Sequence, residues 1–470
     1  MKSFFKSIII RLLTWEAKLV LRKYKPHIVA ITGTVGKTTT KDAVYEALTP
    51  FVSVRKNEKS FNSTFGVPLT ILGLESAYGN PLLWIRNVIQ GLFVLLPFNF
   101  QLQTKNYPEW LVLEVGVGEP GDIQQFEKWL PLDVAVFTRF ARMPVHVEYF
   151  TSPEAVFEEK KILLRMLKKD GVLVLNADDA AVRDLKNLKP SPPSAPFQRG
   201  SAESARRRGS EGGDRGGVIT FGTSPLGKGA ALGGCDVCGN GYAVVYDSAS
   251  TFPKGGSFTI ETQGKRFPIT VRGVVGEHLM HPILAAVAVA VALGFDVPRA
   301  VENLQQFMPP AGRMRLLQGR GGTLLIDDSY NASPIAVSEG LRTLAGLKSS
   351  GRKIAVLGDM AELGAHSADE HVKAGALVAK SAGELIAVGE FALQYVLGAQ
   401  EAGMGKEHIM LCQNSREAGE TLAEMLAKGD VALIKGSARM HMERTVEKVM
   451  AQPERAKELL VRQEKSWRFR

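Results

Sequence analysis

The chain has 470 residues, of which 45% are hydrophobic and 23% are charged, as is typical of a globular protein with two or three domains. The net charge of +10 is concentrated at the ends, since residues 1–25 carry seven Lys or Arg against one Glu and residues 451–470 carry six against three. A basic body would indicate nucleic-acid binding, whereas basic ends suit an anionic membrane surface or simply solubility. Nucleic acid is therefore not an expected partner.

Three cysteines in a chain of this length argue against a disulfide framework and favour a reducing compartment, so we expect a cytoplasmic protein. Cys235 and Cys238 form a single C-x-x-C, and Cys412 stands alone. A structural zinc site needs a second pair of ligands, so zinc is not favoured.

Residues 1–27 are predicted to form an amphipathic helix, because apolar side chains recur at helical spacing between Phe4 and Leu19. Lysines interrupt the run and no small-residue cleavage site follows, so a signal peptide is not expected. The helix either packs on its own domain or lies on a membrane surface, and both interpretations stay open. A second apolar run, 82–100, contains Arg86, Asn87 and Gln90, which argue against a spanning helix but allow contact with lipid.

Residues 28–32 predict a buried strand, 33–38 a loop and 39–48 a helix. Further strands are predicted at 110–115, 134–138 and 172–176, with helical patterns between them, for example at 153–168. This alternation predicts an α/β fold in which a P-loop ATPase-like central domain, residues 28–308, contains a parallel sheet covered on both faces. Strand-like segments run from 217 to 275, and a buried helix is predicted at 276–294.

Residues 188–217 are dense in Pro, Ser, Gly and Arg and are predicted to be a disordered insert. Pro309, Pro310 and Gly312 predict a domain boundary. Beyond it, strands predicted at 323–326, 353–357, 384–388 and 431–435 alternate with helices. They indicate a smaller, Rossmann-like α/β domain at 309–450, followed by a basic tail at 451–470.

The loop after the first strand predicts ATP binding. Its glycines let backbone N–H groups approach phosphate oxygens, and the following helix adds a favourable dipole. Lys37 supplies a positive charge for the β- and γ-phosphates, and the Thr38 hydroxyl is a ligand for Mg²⁺. Ile31 stands where the general phosphate-loop pattern has glycine. The expected nucleotide contacts in the loop are Gly33, Thr34, Val35, Gly36, Lys37, Thr38 and Thr39.

The loop, T-G-T-x-G-K-T-T, resembles that of the Mur ligases, which also lacks the first glycine. Six further segments resemble the family in order and spacing, so that the resemblance covers residues 28–450 apart from the insert. They are 62–70 (NSTFGVPLT), 114–116 with 121–123, 146–160, 327–334 (DDSYNASP), 358–364 (GDMAELG) and 435–437.

The resemblance implies an ATP-dependent amide ligase. ATP would phosphorylate a substrate carboxylate, an amine would attack the acyl phosphate, and phosphate would leave. The segments DDSYNASP and GDMAELG resemble the branch that joins D-alanyl-D-alanine to a UDP-muramoyl tripeptide in peptidoglycan precursor synthesis.

The resemblance also assigns roles to residues. It implies two Mg²⁺ ions, one held by Thr38 and the other by Glu114 and His146. Lys160 matches a lysine that is carbamylated by CO₂ in the family, and the carbamate would make it an anionic ligand of Mg²⁺. The adjacent Lys161 leaves the register open.

In the C-terminal domain, Arg313 would reach the γ-phosphate when the domains close. Asp328 would contact the ribose with Asn331 nearby, and Lys435 would steady the transferring phosphate.

Two features depart from the family. Leu279 and Pro282 stand where the family has asparagines that help to hold adenine. Only about thirty residues precede the loop, fewer than the usual N-terminal UDP-binding domain needs. The chemistry is therefore predicted more firmly than the substrate. A ligase for another carboxylate and a non-catalytic ATP-binding regulatory protein remain alternatives, whereas a GTPase is not favoured because no N-K-x-D motif occurs.

Overall fold

The computed structural model describes residues 2–58, 62–76, 81–95, 107–188, 217–223, 234–246 and 252–464. The predicted insert therefore lies almost wholly outside the described residues, as does the end of the apolar run 82–100. Among the described residues, no helix has both the length and the apolar character that crossing a membrane requires.

The first sheet is built from nine strands in the order β2-β3-β1-β4-β5-β6-β7-β8-β9. It is parallel as far as β7, and β8 and β9 then continue it as an antiparallel hairpin. Its strands are β1 (His27–Thr32), β2 (Val54–Lys56), β3 (Trp110–Glu114), β4 (Leu132–Phe137), β5 (Leu167–Asn176), β6 (Val218–Thr223), β7 (Val237–Tyr246), β8 (Pro253–Thr262) and β9 (Lys265–Arg272).

Helices cover both faces of this sheet, as the continuous apolar strands require. One face packs on α2, α8 and α9, and the other on α1, α3, α5 and α6. The helices of this part are α1 (Lys2–Tyr24), α2 (Lys37–Leu48), α3 (Gly66–Leu72), α4 (Pro81–Val94), α5 (Gln124–Glu127), α6 (Pro153–Met166), α7 (Ala180–Arg183), α8 (Met280–Ala292) and α9 (Val297–Leu304).

The second sheet has six strands in the order β10-β11-β15-β12-β13-β14. All are parallel except β10, which pairs antiparallel with β11 at one edge. Its elements are β10 (Arg315–Gly319), β11 (Thr323–Asp328), α10 (Pro334–Gly346), β12 (Lys353–Gly358), α11 (Ser367–Val378), β13 (Glu384–Val388), α12 (Ala392–Glu401), β14 (Ile409–Cys412), α13 (Ser415–Met425), β15 (Val431–Lys435), α14 (Glu443–Val449) and α15 (Ala456–Leu459).

The predicted fold class is confirmed, with a large, mainly parallel sheet followed by a smaller α/β unit. Sequence patterning missed β2, β10 and β14, which are short or lie at an edge and are only half-buried. Their apolar signal is weak for that reason. We keep the division into two domains near residue 309, between α9 and β10, as a proposal.

Two segments differ from what composition suggested. Cys235 and Cys238 form a disulfide, which was not predicted. The described part of the basic tail packs on the second sheet: Leu460 is buried, and Arg462 Nη1 donates to the carbonyl of Ser329 and to Glu443. Net charge along a sequence cannot show such contacts, because they depend on tertiary neighbours.

Candidate active site

A cavity of about 1050 Å³ lies between the two sheets. Residues at or just after the carboxyl ends of strands in both sheets line it, as is usual for ligand sites in parallel α/β folds. The cavity brings together most of the predicted site residues, namely Thr34, Val35, Gly36, Lys37, Thr38, Thr39, Glu114, His146, Arg313, Asp328, Asn331 and Lys435. Gly33, which begins the loop, and Lys160 do not line it.

The loop between β1 and α2 has the backbone geometry of a phosphate cradle. Gly33 has φ 146°, and a Cβ there would lie 2.0 Å from Thr138 Oγ1, so only glycine fits. Gly36 adopts the left-handed conformation directly before α2. Thr138 Oγ1 donates to the carbonyl of Val35 at 2.7 Å and so ties the loop to the end of β4. The N-terminus of α2 consequently lines the cavity, where its dipole favours an anion.

Lys37 and Thr38 occupy the first turn of α2. Lys37 Nζ donates to the carbonyls of Gly33 and Thr34, at 3.0 and 3.1 Å. Burial lowers the pKa of Lys37, and the nearby Glu114 carboxylate partly offsets this effect. Thr38 Oγ1 accepts a hydrogen bond from Arg313 Nη2 at 3.3 Å, a contact that reaches from the second sheet to the loop of the first.

Glu114 ends β3 and points one unpaired oxygen into this region. Its Oε1 accepts from Asn62 Nδ2 at 2.8 Å, and its backbone N–H donates to Asn57 Oδ1 at 2.6 Å. Oε2 is buried and has no hydrogen-bond partner among the described residues. A buried carboxylate oxygen without a partner is costly unless a ligand satisfies it. A cation is such a ligand.

His146 sits across the cavity in a left-handed conformation, with φ 69°. Its Nδ1 lies 2.6 Å from Glu362 Oε2, and this hydrogen bond lowers the pKa of the Glu362 carboxyl. Arg439 Nη2 adds ion pairs to Glu148 at 3.7 Å and to Glu362 at 4.0 Å. His146 and its neighbour Glu148 are thus tied to the second sheet rather than to Glu114.

Lys160 and Lys161 have different environments. Lys160 is 4% exposed, and its Nζ lies 3.4 Å from Thr34 Oγ1 and 5.9 Å from the centre of the Phe140 ring. Burial, followed by the charge of Lys37, places the pKa of Lys160 well below its usual range. Lys161 instead forms an exposed pair with Glu158 at 2.6 Å. Lys160 therefore lies beside the phosphate loop, whereas Lys161 does not.

Asp328, Asn331 and Lys435 form one cluster at the ends of β11 and β15. Lys435 Nζ lies 2.5 Å from Asp328 Oδ2 and 2.9 Å from the carbonyl of Asn331. The backbone N–H of Met314 donates to Asp328 Oδ1, and that of Ala438 donates to the Asn331 side chain. Lys435 is thus paired with Asp328 in this structure.

The sequence did not predict the residues that position the side chains of the candidate site. Asn62, Tyr330 and Glu362 lie inside segments that carried the resemblance, but no pattern indicated that Asn62 contacts Glu114, that Glu362 contacts His146, or that Arg313 stacks 4.0 Å from the centre of the Tyr330 ring. No sequence signal marked Asn57 at all. Its role depends on β2 lying beside β3.

The cavity continues past α8, where the family's adenine contacts depart from the pattern. Leu279, Pro282 and Phe221 provide apolar lining there, next to Asn176 and His281. His281 Nε2 lies 2.8 Å from Asp178 Oδ2. Apolar side chains therefore stand in this part of the cavity where the family has the two asparagines.

Comparison with known proteins agrees with this geometry. Residues 94–215 match the Mur ligase middle domain, and residues 312–438 match the Mur ligase glutamate ligase domain. The UDP-N-acetylmuramoyl-tripeptide–D-alanyl-D-alanine ligase of Bacillus subtilis is 24% identical over 93% of this chain and 79% of its own length. The enzyme of that name from Mycobacterium leprae is 27% identical over 87% of this chain and 71% of its own length.

Solved structures show the same fold. MurF from Acinetobacter baumannii superposes with a TM-score of 0.69 at 21% identity, covering 93% of this chain and 79% of that one. MurF ligase from Thermotoga maritima in complex with ADP gives 0.67 at 24% identity, covering 96% and 84%. Two matched domains, relatives spanning most of the chain and a shared fold lead to one conclusion: the chain belongs to the Mur ligase family, whose members are ATP-dependent amide ligases.

Proposed function

We propose that the chain joins D-alanyl-D-alanine to a UDP-muramoyl tripeptide in peptidoglycan precursor synthesis, through an acyl phosphate formed with ATP. One observation carries the proposal: the phosphate loop, the unpaired oxygen of Glu114 and Arg313 from the second sheet line one cavity. The substrates are those named for the relatives that span most of the chain.

ATP would lie with its β- and γ-phosphates on the loop and the N-terminus of α2. Lys37 would leave the loop carbonyls and neutralise phosphate charge. Arg313, which already contacts Thr38, would stabilise the charge on the transferring group. Asp328 would contact the ribose, with Asn331 beside it.

The side chains of Thr38 and Glu114 in the cavity suit a magnesium ion. The orphaned oxygen of Glu114 and the hydroxyl of Thr38 are hard ligands of the kind that Mg²⁺ prefers. No three His, Cys, Asp or Glu side chains cluster within the described ranges, so phosphate oxygens and water would complete each coordination shell. We propose two ions, held by Thr38 and by Glu114 with His146. They would neutralise charge as anionic groups meet.

Lys160 is suited to carry a carbamate. An amine reacts with CO₂ only when it is neutral, and burial favours the neutral form of this lysine. The nitrogen would form a bond to the CO₂ carbon and lose one proton, which converts a buried amine into an anionic group behind the loop. That group would attract the cation proposed at Glu114 and His146.

The remaining residues would act on the substrates. Lys435, if released from Asp328, would steady the transferring phosphoryl group while the substrate carboxylate attacks it. The amine then attacks the acyl carbon, and phosphate leaves. The position of the cavity between the two sheets would limit the access of water to the acyl phosphate, which would otherwise hydrolyse.

Phosphate release from ATP with the full chain and Mg²⁺ tests the proposal. UDP-muramoyl tripeptide and D-alanyl-D-alanine would each be tested alone and then together. We expect sustained release only with the pair, and a product whose mass equals the two substrates minus water. Sustained release with a different pair of carboxylate and amine, and none with this pair, would instead show a Mur-type ligase for another substrate.

Tight ATP binding without release for any pair would support the other alternative, a non-catalytic ATP-binding regulatory protein. Five side chains with proposed roles in the reaction argue against a regulatory protein, because such a protein would not need all of them. They are Lys37, Thr38, Glu114, His146 and Lys160. We propose membrane contact through residues 1–25 or 82–100 as a separate property, since no described residue of either segment lines the cavity.

A further inference from the structure

Helix α4 has the opposite burial pattern from an ordinary surface helix. Its solvent side carries six large apolar side chains that are between 40% and 75% exposed, namely Leu82, Leu83, Ile85, Ile89, Leu92 and Phe93. The side that packs on the protein presents Asn87, Gly91 and Val94. A helix in contact with water alone would place its apolar face inward. The outer face of α4 therefore indicates a non-aqueous neighbour.

Helix α1 continues this face. Ile9, Leu13 and Val20 are buried against the domain, whereas Ile8, Leu12 and Trp15 are exposed. The exposed three are spaced four and three residues apart, so they share one side of the helix. Helix α1 thus has an exposed apolar side in addition to its buried one, whereas an ordinary amphipathic helix has a single apolar side.

The two helices pack against each other, so the two apolar faces adjoin. A Cβ at Gly91 would lie 2.0 Å from Glu16 Oε2, and Lys23 Nζ donates to the carbonyl of Leu95 at 2.6 Å. Ile8 and Leu12 lie on the same side of α1 as Lys23, by helical spacing of fifteen and eleven residues. We name the nine exposed apolar residues of the two helices the α1–α4 surface: Ile8, Leu12, Trp15, Leu82, Leu83, Ile85, Ile89, Leu92 and Phe93.

Basic side chains flank this surface. Arg11, Lys18 and Arg22 recur at intervals of seven and four residues, which places them in one row along α1 beside Trp15. Arg11 and Arg22 are exposed, whereas Lys18 is half-buried with its Nζ 5.8 Å from the centre of the Trp129 ring. Arg86 is exposed on α4. The acidic residue of α1, Glu16, is 1% exposed and adds no negative charge to the outer face. The surface is therefore apolar with a cationic border.

We propose that the α1–α4 surface lies on an anionic lipid surface, with its apolar side chains among the acyl chains nearest the headgroups and its basic row on lipid phosphates. Apolar residues bordered by Lys and Arg are what a helix at a lipid interface requires. A second copy of the chain fits less well, because a symmetric contact would bring the basic rows of two copies together without compensating acidic groups. Since no described helix can cross a bilayer, the contact is peripheral.

Sedimentation with lipid vesicles tests the proposal on the full chain. One set of vesicles is phosphatidylcholine alone, and the other contains about 30% phosphatidylglycerol. We expect binding to the anionic vesicles that is at least tenfold tighter than to the neutral ones and that weakens as salt is raised. Trp15 supplies a second readout: its fluorescence should shift to the blue on binding and be quenched by brominated lipid, and Trp15→Phe should reduce both signals.

A pair of double variants separates the surface from general hydrophobicity. Ile85→Glu with Ile89→Glu changes two exposed residues one turn apart on α4. Leu393→Glu with Leu397→Glu makes the same change at exposed positions of α12. We expect the α4 pair to weaken vesicle binding at least tenfold and the α12 pair to leave it unchanged. Both should keep the far-ultraviolet circular dichroism and the ATP affinity of the parent chain.

Four results would overturn the proposal. The parent chain could fail to bind anionic vesicles. The two double variants could bind equally well. The α4 pair could instead convert a dimer into a monomer in lipid-free sedimentation equilibrium, which would identify a second copy as the neighbour. Equal binding to neutral and anionic vesicles would also contradict it, because the basic row would then contribute nothing.

Discussion

The cavity and the α1–α4 surface depart from ordinary burial in opposite directions. In the cavity region, ionisable groups are buried, including Lys160 and the unpaired oxygen of Glu114. At the α1–α4 surface, leucine, isoleucine and phenylalanine side chains are exposed, while the carboxyl group of Glu16 is buried beneath them. Either arrangement costs free energy in the isolated chain. An ionic ligand would offset this cost in the cavity, and an apolar neighbour would offset it at the α1–α4 surface.

The comparison distinguishes catalytic from non-catalytic parts of the molecule. Changes at the cavity should lower activity in solution and leave vesicle binding unaffected. Changes at the α1–α4 surface should do the reverse. A variant that lowers both activity and vesicle binding would show that the two regions are coupled. We do not expect such coupling, because no residue of the α1–α4 surface lines the cavity.

The largest effect is expected for Lys37→Ala. This change removes the cation that lies on the phosphate loop, and the loss of one preorganised electrostatic group lowers kcat by about 100- to 1000-fold. Steady-state phosphate release with the substrate pair gives the value. Activity within a factor of three of the parent would show that the loop does not bind the transferring phosphate.

Lys160→Ala is expected to lower activity by about 100-fold, since it would remove the proposed carbamate and with it part of a cation site. Lys161→Ala is the matched control, because its side chain is partly exposed and pairs only with Glu158 among the described residues. Bicarbonate should restore activity to CO₂-depleted parent enzyme and have no effect on Lys160→Ala. Equal losses in the two variants would assign no special role to Lys160.

Arg313→Ala should lower kcat/KM for ATP by about 30-fold, because charge-assisted hydrogen bonds contribute about 1.5–3 kcal/mol. The residue reaches Thr38 from the second sheet, so the variant tests whether both sheets act on one nucleotide. Arg416→Ala, at an exposed position on α13, controls for a general loss of charge. An unchanged kcat/KM would show that Arg313 does not act on the nucleotide, which would leave the nucleotide site with residues of the first sheet.

The last prediction concerns stability rather than activity, and it rests on Glu16, whose pKa is raised from 4.5 to about 7 by burial. Between these values the native state binds more protons than the unfolded state, so stability falls as pH rises through this window and is constant above it. The loss is at most about 3 kcal/mol. Glu16→Gln should flatten the dependence of unfolding free energy on pH from 4.5 to 7, as measured by denaturant titration. A slope like that of the parent would contradict burial of this carboxyl.

Much of the site could be predicted because its chemistry is local in sequence. The phosphate loop needs glycines before a helix, and Gly33 and Gly36 are where close approach and positive φ require them. The orientation of Glu114 could not be predicted, because it depends on Asn57 and Asn62 from other segments. The choice between Lys160 and Lys161 also needed the fold, since adjacent positions on a helix point in different directions.

The amino-acid sequence by itself determined the α/β alternation, the phosphate loop and the set of residues that resemble a Mur ligase, because strand, loop and helix signals act over a few neighbouring positions. Tertiary structure alone decided that Arg313 reaches Thr38, that His146 pairs with Glu362, and that the tail packs on the second sheet. It also decided which apolar residues of α1 and α4 remain exposed. Burial and pairing depend on neighbours distant in sequence, and periodicity cannot specify them.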